Sequence, residues 1–262
     1  MKIVILCGGQ GTRIRDVSEI LPKPMLPIGD RPILWHIMKR YAKYGCKDFV
    51  LCLGYKGWMI KEFFLNYHAM MSTVSLTLGN KHSVNYDDSR HDEADWKVTM
   101  VDTGEEALTA SRVWQARKYL DKNKPFGLTY GDGLADIDIN KLIKQHHKSG
   151  MMATITGVHP SGRFGEIEVE GNRITEFNEK PNVNTGLING GFMIFNEEVL
   201  EKYFHRNENS SLEKDVLPYM VKDGKVGVYK HEGQWQCIDT QREYNMLNEM
   251  WNNKNGKVFW NK

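Results

Sequence analysis

Residues 2–9, KIVILCGG, decide the fold of this chain, because a continuous apolar run rich in β-branched residues leads directly into two glycines. Such a run is typical of a strand that is buried on both faces, as in a parallel sheet. Similar runs alternate with helical periodicity over the first 160 residues, with strands predicted at 49–54, 74–78, 98–101, 125–130 and 151–158 and helices at 32–44, 58–67, 110–120 and 139–148. This alternation predicts an α/β fold in which helices cover both faces of a mixed, mostly parallel sheet.

The pattern changes after residue 160, where short strands replace the long alternation. Two runs at 165–170 and 173–178 flank Gly171-Asn172, which is a hairpin signal. The remainder is mixed, with strands predicted at 188–195 and 226–230 and helices at 197–204, 212–223 and 242–251. Because no low-complexity linker separates the parts, we expect one domain over 1–262, with a core over about 1–160 and a smaller α+β portion over about 161–262. Residues 81–95 are polar and charged and predict an insertion loop on the surface.

The composition excludes several classes of protein. A chain with 40% hydrophobic and 26% charged residues is not of the disordered class. Lysine and arginine number 35 against 33 acidic residues, and a net charge of +2 creates no strong field toward nucleic acid or an anionic membrane. No apolar run reaches the ~18 residues of a membrane span, and the run at 3–7 is too short for a signal peptide. The four cysteines have neither CxxC nor zinc-site spacing, which favours a reducing, cytoplasmic location.

The loop after the first strand has the composition of an anion site. Residues 6–13 read LCGGQGTR, so glycines let the backbone approach a ligand closely and consecutive N–H groups can surround an anion. Arg13 adds a planar cationic donor suited to phosphate. The segment is not a P-loop, and Ile14 breaks the dinucleotide fingerprint, which disfavours a dehydrogenase. The alternative is a tight glycine turn with a surface arginine.

A proline-rich segment follows at residues 22–29, PKPMLPIG. Three prolines cannot continue a helix and predict an extended, stiff backbone. A stiff backbone suits the aiming of one point charge, that of Lys23. The alternative is a rigid loop with a solvated lysine.

Together, Gly8-Gly9-x-Gly11-Thr12-Arg13 and the later Lys23-Pro24 and Pro27 resemble the sugar-phosphate nucleotidyltransferases. The resemblance implies a Rossmann-like α/β sheet with the nucleotide above the carboxyl ends of its strands. It also implies a set of nucleotide-binding residues: Leu6, Cys7, Gly8, Gly9, Gln10, Gly11, Thr12, Arg13, Lys23, Ala107, Arg112 and Gly131.

Two aspartates follow as candidate metal ligands. Asp132, in TYGDG at 129–133, comes just after a predicted strand, where ligand crevices of open α/β sheets lie, and a carboxylate is a natural Mg²⁺ ligand. The resemblance makes Asp132 the metal-binding aspartate and Asp239, in WQCIDT at 235–240, the second carboxylate. The alternatives are a turn for Asp132 and the N-cap of the following helix for Asp239.

Three further segments are implied to bind the sugar phosphate. In FNEKP at 177–181, Lys180 would hold the phosphate and Glu179 would accept hydrogen bonds from hydroxyl groups. In LINGGF at 187–192, two glycines within a strand leave room for a sugar ring beside Asn189 and Gly190. Trp235 would border the sugar. The alternatives are a strand-end turn for the first segment and a β-bulge for the second.

Details such as YGDG at 130–133 and RFG at 163–165 resemble the branch of the family that uses CTP and glucose 1-phosphate. The implied catalytic residues are Lys23, Arg13 and Asp132, and the implied cofactor is Mg²⁺. An Arg112 that faces O2 and N3 of cytosine would favour CTP over UTP. The alternatives are the same reaction with dTTP or UTP, or an inactive binding module. We expect a homo-oligomer with no nucleic-acid or membrane partner.

Overall fold

A computed structural model describes residues 1–9, 20–79, 83–87, 91–159, 166–170, 173–178, 186–204 and 209–261 of the chain. The strands are β1 (Lys2–Cys7), β2 (Pro27–Ile28), β3 (Arg31–Pro32), β4 (Asp48–Leu53), β5 (Thr73–Thr77), β6 (Ser83–Asp87), β7 (Lys97–Asp102), β8 (Phe126–Tyr130), β9 (Gly133–Ala135), β10 (Ala153–Val158), β11 (Glu166–Glu170), β12 (Arg173–Asn178), β13 (Ile188–Phe195), β14 (Val226–His231) and β15 (Trp235–Cys237). The α-helices are α1 (Ile33–Ala42), α2 (Gly57–Leu65), α3 (Tyr67–Met71), α4 (Thr109–Ala116), α5 (Ile139–Ser149), α6 (Leu217–Lys222) and α7 (Gln241–Asn253). Short 3-10 turns cover Lys23–Met25, Arg117–Tyr119 and Phe259–Asn261, and π-helical turns cover Leu200–Phe204 and Leu212–Val216.

Seven strands form the central sheet in the order β14-β10-β13-β8-β1-β4-β7. β1 pairs in parallel with β4 on one side and β8 on the other, and β4 continues in parallel with β7. β13 runs antiparallel to both of its neighbours, β8 and β10. The prediction of a mixed, mostly parallel sheet is therefore confirmed. The chain passes from β1 to β4 on one side of β1 and later returns to the other side of β1 as β8. The winding direction therefore reverses at β1. Ligand crevices of open α/β sheets form at such a reversal.

The two faces of β1 pack into two separate hydrophobic cores. Ile3 and Ile5 pack in the core that includes Ile37 of α1, whereas Val4 packs in the core that includes Val113 of α4, and all of these side chains are fully buried. Each such burial contributes roughly 1.5–3 kcal/mol to stability. The continuous apolar run of β1 is thus explained by helices on both faces, which hold its carboxyl end and the glycines after it in a defined place.

The end of the described chain packs back onto the first helix. Trp260 is buried, and its Nε1 donates to Nδ1 of His36 at 3.3 Å, while Nε2 of His36 lies 2.9 Å from the carbonyl oxygen of Ile28. Burial lowers the pKa of His36 to about 4, so the ring is neutral and can accept from the indole while it donates to the carbonyl. Residues from both predicted portions of the chain therefore share one core.

The prediction of a loop over residues 81–95 is wrong for residues 83–87, which form β6. β6 pairs antiparallel with β5, so the strand predicted near residue 74 exists but lies in a two-stranded hairpin outside the central sheet. Apolar Val84 and Tyr86 alternate with polar neighbours at the period of a strand. The charged residues around this short alternation concealed it in the sequence.

Two predicted helices and two short strands also differ from expectation. The regions predicted as helices at 197–204 and 212–223 contain the π-helical turns, and only the second continues into α6. Pro218, at the start of α6, has no N–H to donate to the turn before it, which interrupts regular α-helical bonding there. β9 and β15 have three residues each, too few for a periodic signal. Within the described segments, no helix has the length and apolar character needed to cross a membrane.

Candidate active site

A lysine ammonium lies between two aspartate carboxylates at the carboxyl end of the sheet. Nζ of Lys23 lies 2.7 Å from Oδ2 of Asp132 and 2.7 Å from Oδ1 of Asp239, and the three side chains are 14%, 28% and 25% exposed. Desolvation acts to lower the pKa of Lys23, but the carboxylates of Asp132 and then Asp239 outweigh it and raise that pKa, so the ammonium stays charged. Three residues that were predicted from separate motifs thus form one cluster.

The backbone that carries Lys23 forms a 3-10 turn over Lys23–Met25, so the prediction of an extended segment is wrong for these three residues. The N–H of Met25 donates to the carbonyl of Pro22 at 2.7 Å, and that of Leu26 donates to the carbonyl of Lys23 at 3.1 Å. The φ angle of a proline suits the first turn of a helix, where its missing N–H is not needed. Pro24 can therefore occupy this turn, and extended Pro22 and Leu26 flank it.

A short ladder brings the two aspartates together although they are distant in sequence. β9 follows Asp132 directly and pairs antiparallel with β15, with Cys237 opposite Gly133. The N–H of Ile238 then donates to the carbonyl of Asp132 at 3.0 Å. Asp239 therefore leaves the ladder next to Asp132, and its carboxylate reaches Lys23.

The alternative that Asp239 is the N-cap of the last helix is wrong, because Thr240 is the cap. The N–H of Glu243 donates to Oγ1 of Thr240 at 3.3 Å, and Oε2 of Glu243 accepts from the N–H groups of Asp239 and Thr240 at 2.7 and 2.9 Å. This capping box satisfies the first amide groups of α7. The carboxylate of Asp239 is directed to Lys23 instead.

The carboxylate pair fits a magnesium ion in its donor chemistry. Asp132 and Asp239 already place one oxygen each around a single cation, the Lys23 ammonium. Mg²⁺ is commonly held by one or two carboxylates, with substrate phosphates and water completing its shell. In the part of the chain that the structure describes, no cluster of three or more His, Cys, Asp and Glu side chains is placed to hold a metal. A metal at this pair would thus need ligands from a substrate.

A cavity of about 380 Å³ opens beside the charged cluster. Its lining includes these residues predicted to bind nucleotide or metal: Leu6, Cys7, Gly8, Gly9, Lys23, Ala107, Arg112, Gly131 and Asp132. Gln10, Gly11, Thr12 and Arg13 lie outside the described residues. The cavity sits where the winding of the sheet reverses, which is the position expected for a ligand in this fold.

Arg112 holds together the loops that form one wall of this cavity. Its guanidinium donates to the carbonyl of Gly8 at 3.0 Å, to that of Gly104 at 2.7 Å and to that of Glu105 at 3.0 Å. It also donates to Oγ1 of Thr103 at 2.9 Å. The side chain thus orders the glycine loop against residues 103–105. Its contact with a base stays a prediction.

The described residues predicted to bind the sugar phosphate lie together beside the cavity. Nε1 of Trp235 donates to the carbonyl of Gly190 at 2.8 Å. Nδ2 of Asn189 donates to the hydroxyl of Tyr130 at 3.4 Å, and Tyr130 directly precedes the glycine before Asp132. Glu179 and Lys180 lie outside the described residues.

Sequence reasoning missed Tyr130 and Glu213, which both line the cavity. The hydroxyl of Tyr130 donates to Oε1 of Glu213 at 2.6 Å, and Oε2 of Glu213 accepts from Thr109 at 2.7 Å and from Ser211 at 2.8 Å. Tyr130 sits in the recognised motif at 129–133, but its side chain carried no signal of its own. Glu213 lies in a segment that matched no motif.

A second, larger cavity of about 460 Å³ lies between α1 and the loop that includes Asp92. Two lysines that line it have acidic partners: Nζ of Lys39 lies 2.7 Å from Oε1 of Glu93, and Nζ of Lys47 lies 2.6 Å from Oδ2 of Asp95. None of the predicted site residues that the structure describes lines it.

Gly131 is required by the close approach of two strands and the lysine turn. Its N–H donates to the carbonyl of Leu6 at 3.1 Å. A Cβ at residue 131 would lie 2.9 Å from the oxygen of Leu6 and 3.0 Å from Cγ of Pro24. Both neighbours are rigid, since one is backbone and the other a proline ring. A larger residue would therefore push the lysine turn away from Asp132.

The sequence of the chain matches a known protein family and individual curated proteins. Residues 2–253 match the model of a family described as nucleotidyl transferase. The chain is 40% identical over 261 residues to glucose-1-phosphate cytidylyltransferase of Salmonella typhi, covering 99% of this chain and 98% of that protein, and equally similar to the enzyme of that name from Salmonella typhimurium. The crystal structure of HddC from Yersinia pseudotuberculosis superposes with a TM-score of 0.68 at 24% identity, covering 95% of this chain and 98% of the other. That likeness shows the shared fold.

We expect Gly131→Ala to lower the free energy of unfolding by about 1–3 kcal/mol, because the added methyl group overpacks the contact with Leu6 and Pro24. Urea unfolding monitored by tryptophan fluorescence measures this loss. The matched control is Gly79→Ala, where no atom lies within 4 Å of the added Cβ; its expected change is within about 0.5 kcal/mol. Equal stability of the two variants would contradict the close approach at Gly131.

Proposed function

The chain belongs to the nucleotidyl transferase family, and from that premise we propose its reaction: it transfers a cytidylyl group from CTP to α-D-glucose 1-phosphate and releases pyrophosphate. The observation that carries the proposal is the Lys23 ammonium held between Asp132 and Asp239 at the edge of the cavity. Curated relatives with the name glucose-1-phosphate cytidylyltransferase, similar over nearly the full chain, support the choice of substrates.

The chemistry needs positioning and charge more than proton transfer. An oxygen of the sugar phosphate bonds to the α-phosphorus of CTP, while the bond from that phosphorus to the departing pyrophosphate breaks. Because the attacking oxygen is already anionic, no general base is required. The obstacle is repulsion between two anions, which fixed cations and oriented N–H groups in a preorganised site reduce.

The roles of the described residues follow from their place around the cavity, whereas those of Arg13, Glu179 and Lys180 follow from the motifs of the family. Lys23 neutralises charge at the α-phosphoryl group, and the N–H groups of the glycine loop, with Arg13, hold the β- and γ-phosphates. Lys180 holds the phosphate of the sugar, and Glu179 accepts from its hydroxyl groups. Asn189, which donates to the hydroxyl of Tyr130, and Trp235, which donates to the carbonyl of Gly190, border the sugar.

The proposed cofactor is magnesium, with Asp132 and Asp239 as its protein ligands. When bound, Mg²⁺ supplies a Lewis acid that neutralises charge on phosphate oxygens. The two carboxylates would hold the ion, and Lys23, which also lines the cavity, would remain beside them.

Arg112 accounts for the proposed preference for CTP in two steps. Its hydrogen bonds to Gly8, Gly104 and Glu105 hold the wall against which the base lies. Cytosine offers O2 and N3 as acceptors, whereas N3 of uracil carries a proton and cannot accept. Both terminal nitrogens of Arg112 already donate to the protein, so donation to O2 and N3 of cytosine requires some of these bonds to be exchanged when CTP binds. A cationic donor exchanged in this way favours cytosine over uracil.

The proposal includes a cytoplasmic location and self-association. All four cysteines are free thiols, which suits a reducing compartment. The proposed surface of self-association is the apolar face of the β5–β6 hairpin, where Leu76 pairs with Val84 and Val74 with Tyr86. Leu76 is 56% exposed, and a two-stranded hairpin alone is only marginally stable in water. A second copy of the chain would cover this face.

We expect purified protein to release pyrophosphate from CTP, glucose 1-phosphate and Mg²⁺. In competition among CTP, UTP, dTTP and GTP, kcat/KM for CTP should exceed that for UTP by about 10²-fold or more, because a site that hydrogen-bonds an acceptor rejects a base that lacks it. Asp132→Asn and Lys23→Ala should each lower kcat by ~10²–10³, by analogy with loss of one transition-state donor.

Asp121→Asn is the control, because Asp121 forms a surface ion pair with Lys2, and it should keep wild-type rates. Near-full activity of Asp132→Asn would exclude the assigned site. Preferential use of dTTP or UTP would exclude the assigned base while leaving the reaction class intact.

The metal assignment has a readout that does not depend on turnover. Addition of Mg²⁺ to protein with CTP should raise the melting temperature, since a ligand that binds only the folded state stabilises by about 2.7 kcal/mol at 100 times its Kd. Asp239→Asn should remove most of the Mg²⁺-dependent part of this shift. Asp95→Asn, a surface control paired with Lys47, should retain it. An unchanged Mg²⁺-dependent shift in Asp239→Asn would refute this ligand.

Self-association is tested at the hairpin. Leu76→Lys should shift the mass measured by light scattering toward the monomer, because a charge on the apolar face is costly to bury. Thr77→Lys is the matched control, as Thr77 is exposed on the polar face of the same strand. An identical oligomer in both variants, or a monomeric wild type, would rule out this surface.

A further inference from the structure

Glu213 is an unusual residue for the wall of a cavity that takes phosphates. Its carboxylate forms no ion pair with any lysine or arginine in the described ranges and accepts from three hydroxyl groups. Partial burial acts to raise its pKa, but the hydrogen bonds from Tyr130, Thr109 and Ser211 outweigh it and lower that pKa, so the group is ionised. A negative charge that no cation neutralises opposes the binding of anions here. We therefore look for the contribution of Glu213 to substrate binding in its hydrogen bonds.

The carboxylate fixes the direction of those hydrogen bonds. An ionised carboxylate only accepts, so each hydroxyl must point its proton at Glu213. Tyr130 meets this requirement, since its hydroxyl lies within hydrogen-bond distance of Oε1 of Glu213 and is the donor of that contact. With that proton committed to Glu213 at 2.6 Å, the oxygen of Tyr130 is left to act as an acceptor toward its other neighbours.

That acceptor in turn fixes the amide of Asn189. Nδ2 of Asn189 donates to the hydroxyl of Tyr130 at 3.4 Å, and Oδ1 accepts from the N–H of Gly191 at 2.9 Å. If the amide were reversed, Oδ1 of Asn189 would face the hydroxyl oxygen of Tyr130, and both are acceptors. Nδ2 would then face the N–H of Gly191, and both are donors. The two contacts together fix the orientation of Asn189, and the contact with Tyr130 links that orientation to Glu213.

The same carboxylate also holds the opposite wall. Thr109 begins α4 in the segment that follows Ala107, and its Oγ1 donates to Oε2 of Glu213 while it accepts from the N–H of Leu212 at 2.8 Å. Glu213 thus joins the wall predicted to face the nucleotide to the strand predicted to face the sugar.

We propose that Glu213 is a positioning residue that orients Asn189 through Tyr130 and so couples the nucleotide wall to binding of the sugar phosphate. This inference rests on the proposed function, since it assigns the two walls to the two substrates. It places Glu213 outside the reacting atoms, so its loss changes substrate binding more than the chemical step.

The test compares Glu213→Leu, which removes all three acceptor contacts at similar size, with Glu213→Gln, which keeps one acceptor oxygen. At saturating CTP, KM for glucose 1-phosphate should rise roughly 10–100-fold in Glu213→Leu and less in Glu213→Gln, with kcat reduced by a smaller factor. Tyr130→Phe should raise the same KM. The double variant Glu213→Leu/Tyr130→Phe should be no worse than the more affected single variant, because both changes break one chain of bonds.

Calorimetric binding of CDP-glucose provides a second readout that needs no turnover, and it should weaken in parallel with KM. Glu201→Gln, an exposed acidic residue on a π-helical turn, is the control and should match wild type. Unchanged KM in all three single variants, or additive effects in the double variant, would overturn the proposal while wild-type turnover upholds the reaction. If Glu213→Leu melts at a much lower temperature, the KM values of Tyr130→Phe and Glu213→Gln for glucose 1-phosphate still test the proposal. A wild type that neither turns over nor binds CDP-glucose would overturn the proposed function and this inference together.

Discussion

The electrostatic contact on which the site depends is the Lys23 ammonium between the carboxylates of Asp132 and Asp239. These residues come from three distant points of the chain, and each is delivered by a different element: a proline-flanked turn, the end of β8 and the end of β15. Loss of the ammonium would leave two carboxylates facing each other in a partly buried place, which is costly because neither charge would then be compensated. The contact therefore requires the turn at Lys23, the end of β8 and the end of β15 to lie close to one another.

The β9–β15 ladder converts this contact into a link between the two parts of the chain. It pairs a strand that follows the central β8 with one that precedes α7, and the capping box at Thr240 starts that helix directly after Asp239. The cavity lies on one side of this link, and Asn189, Gly190 and Trp235 lie around it.

The sequence predicted those features that have a repeated or local cause. β1 was recognisable because a strand buried on both faces needs a long apolar run, and the glycine, lysine and aspartate motifs were recognisable as fragments. What could not be predicted depends on contacts distant in sequence: the three-residue strands β9 and β15, the meeting of Asp132 with Asp239, and the network around Glu213. The turn at Lys23 was misjudged because proline fits both an extended backbone and the first turn of a helix.

The charges of the Lys23, Asp132 and Asp239 cluster show that the proposed site needs additional positive charge to bind its substrates. Lys23 neutralises one of the two aspartates, so the three side chains together carry a net negative charge, and that charge alone would repel both a nucleoside triphosphate and a sugar phosphate. The proposed divalent ion at the carboxylate pair would reverse the sign of the cluster, and Arg13 and Lys180 are predicted to supply further positive charge to the phosphates. The metal supplies the positive charge that the substrates need, and the phosphates supply ligands that the metal needs. Binding of the substrates and binding of the metal should therefore depend on each other.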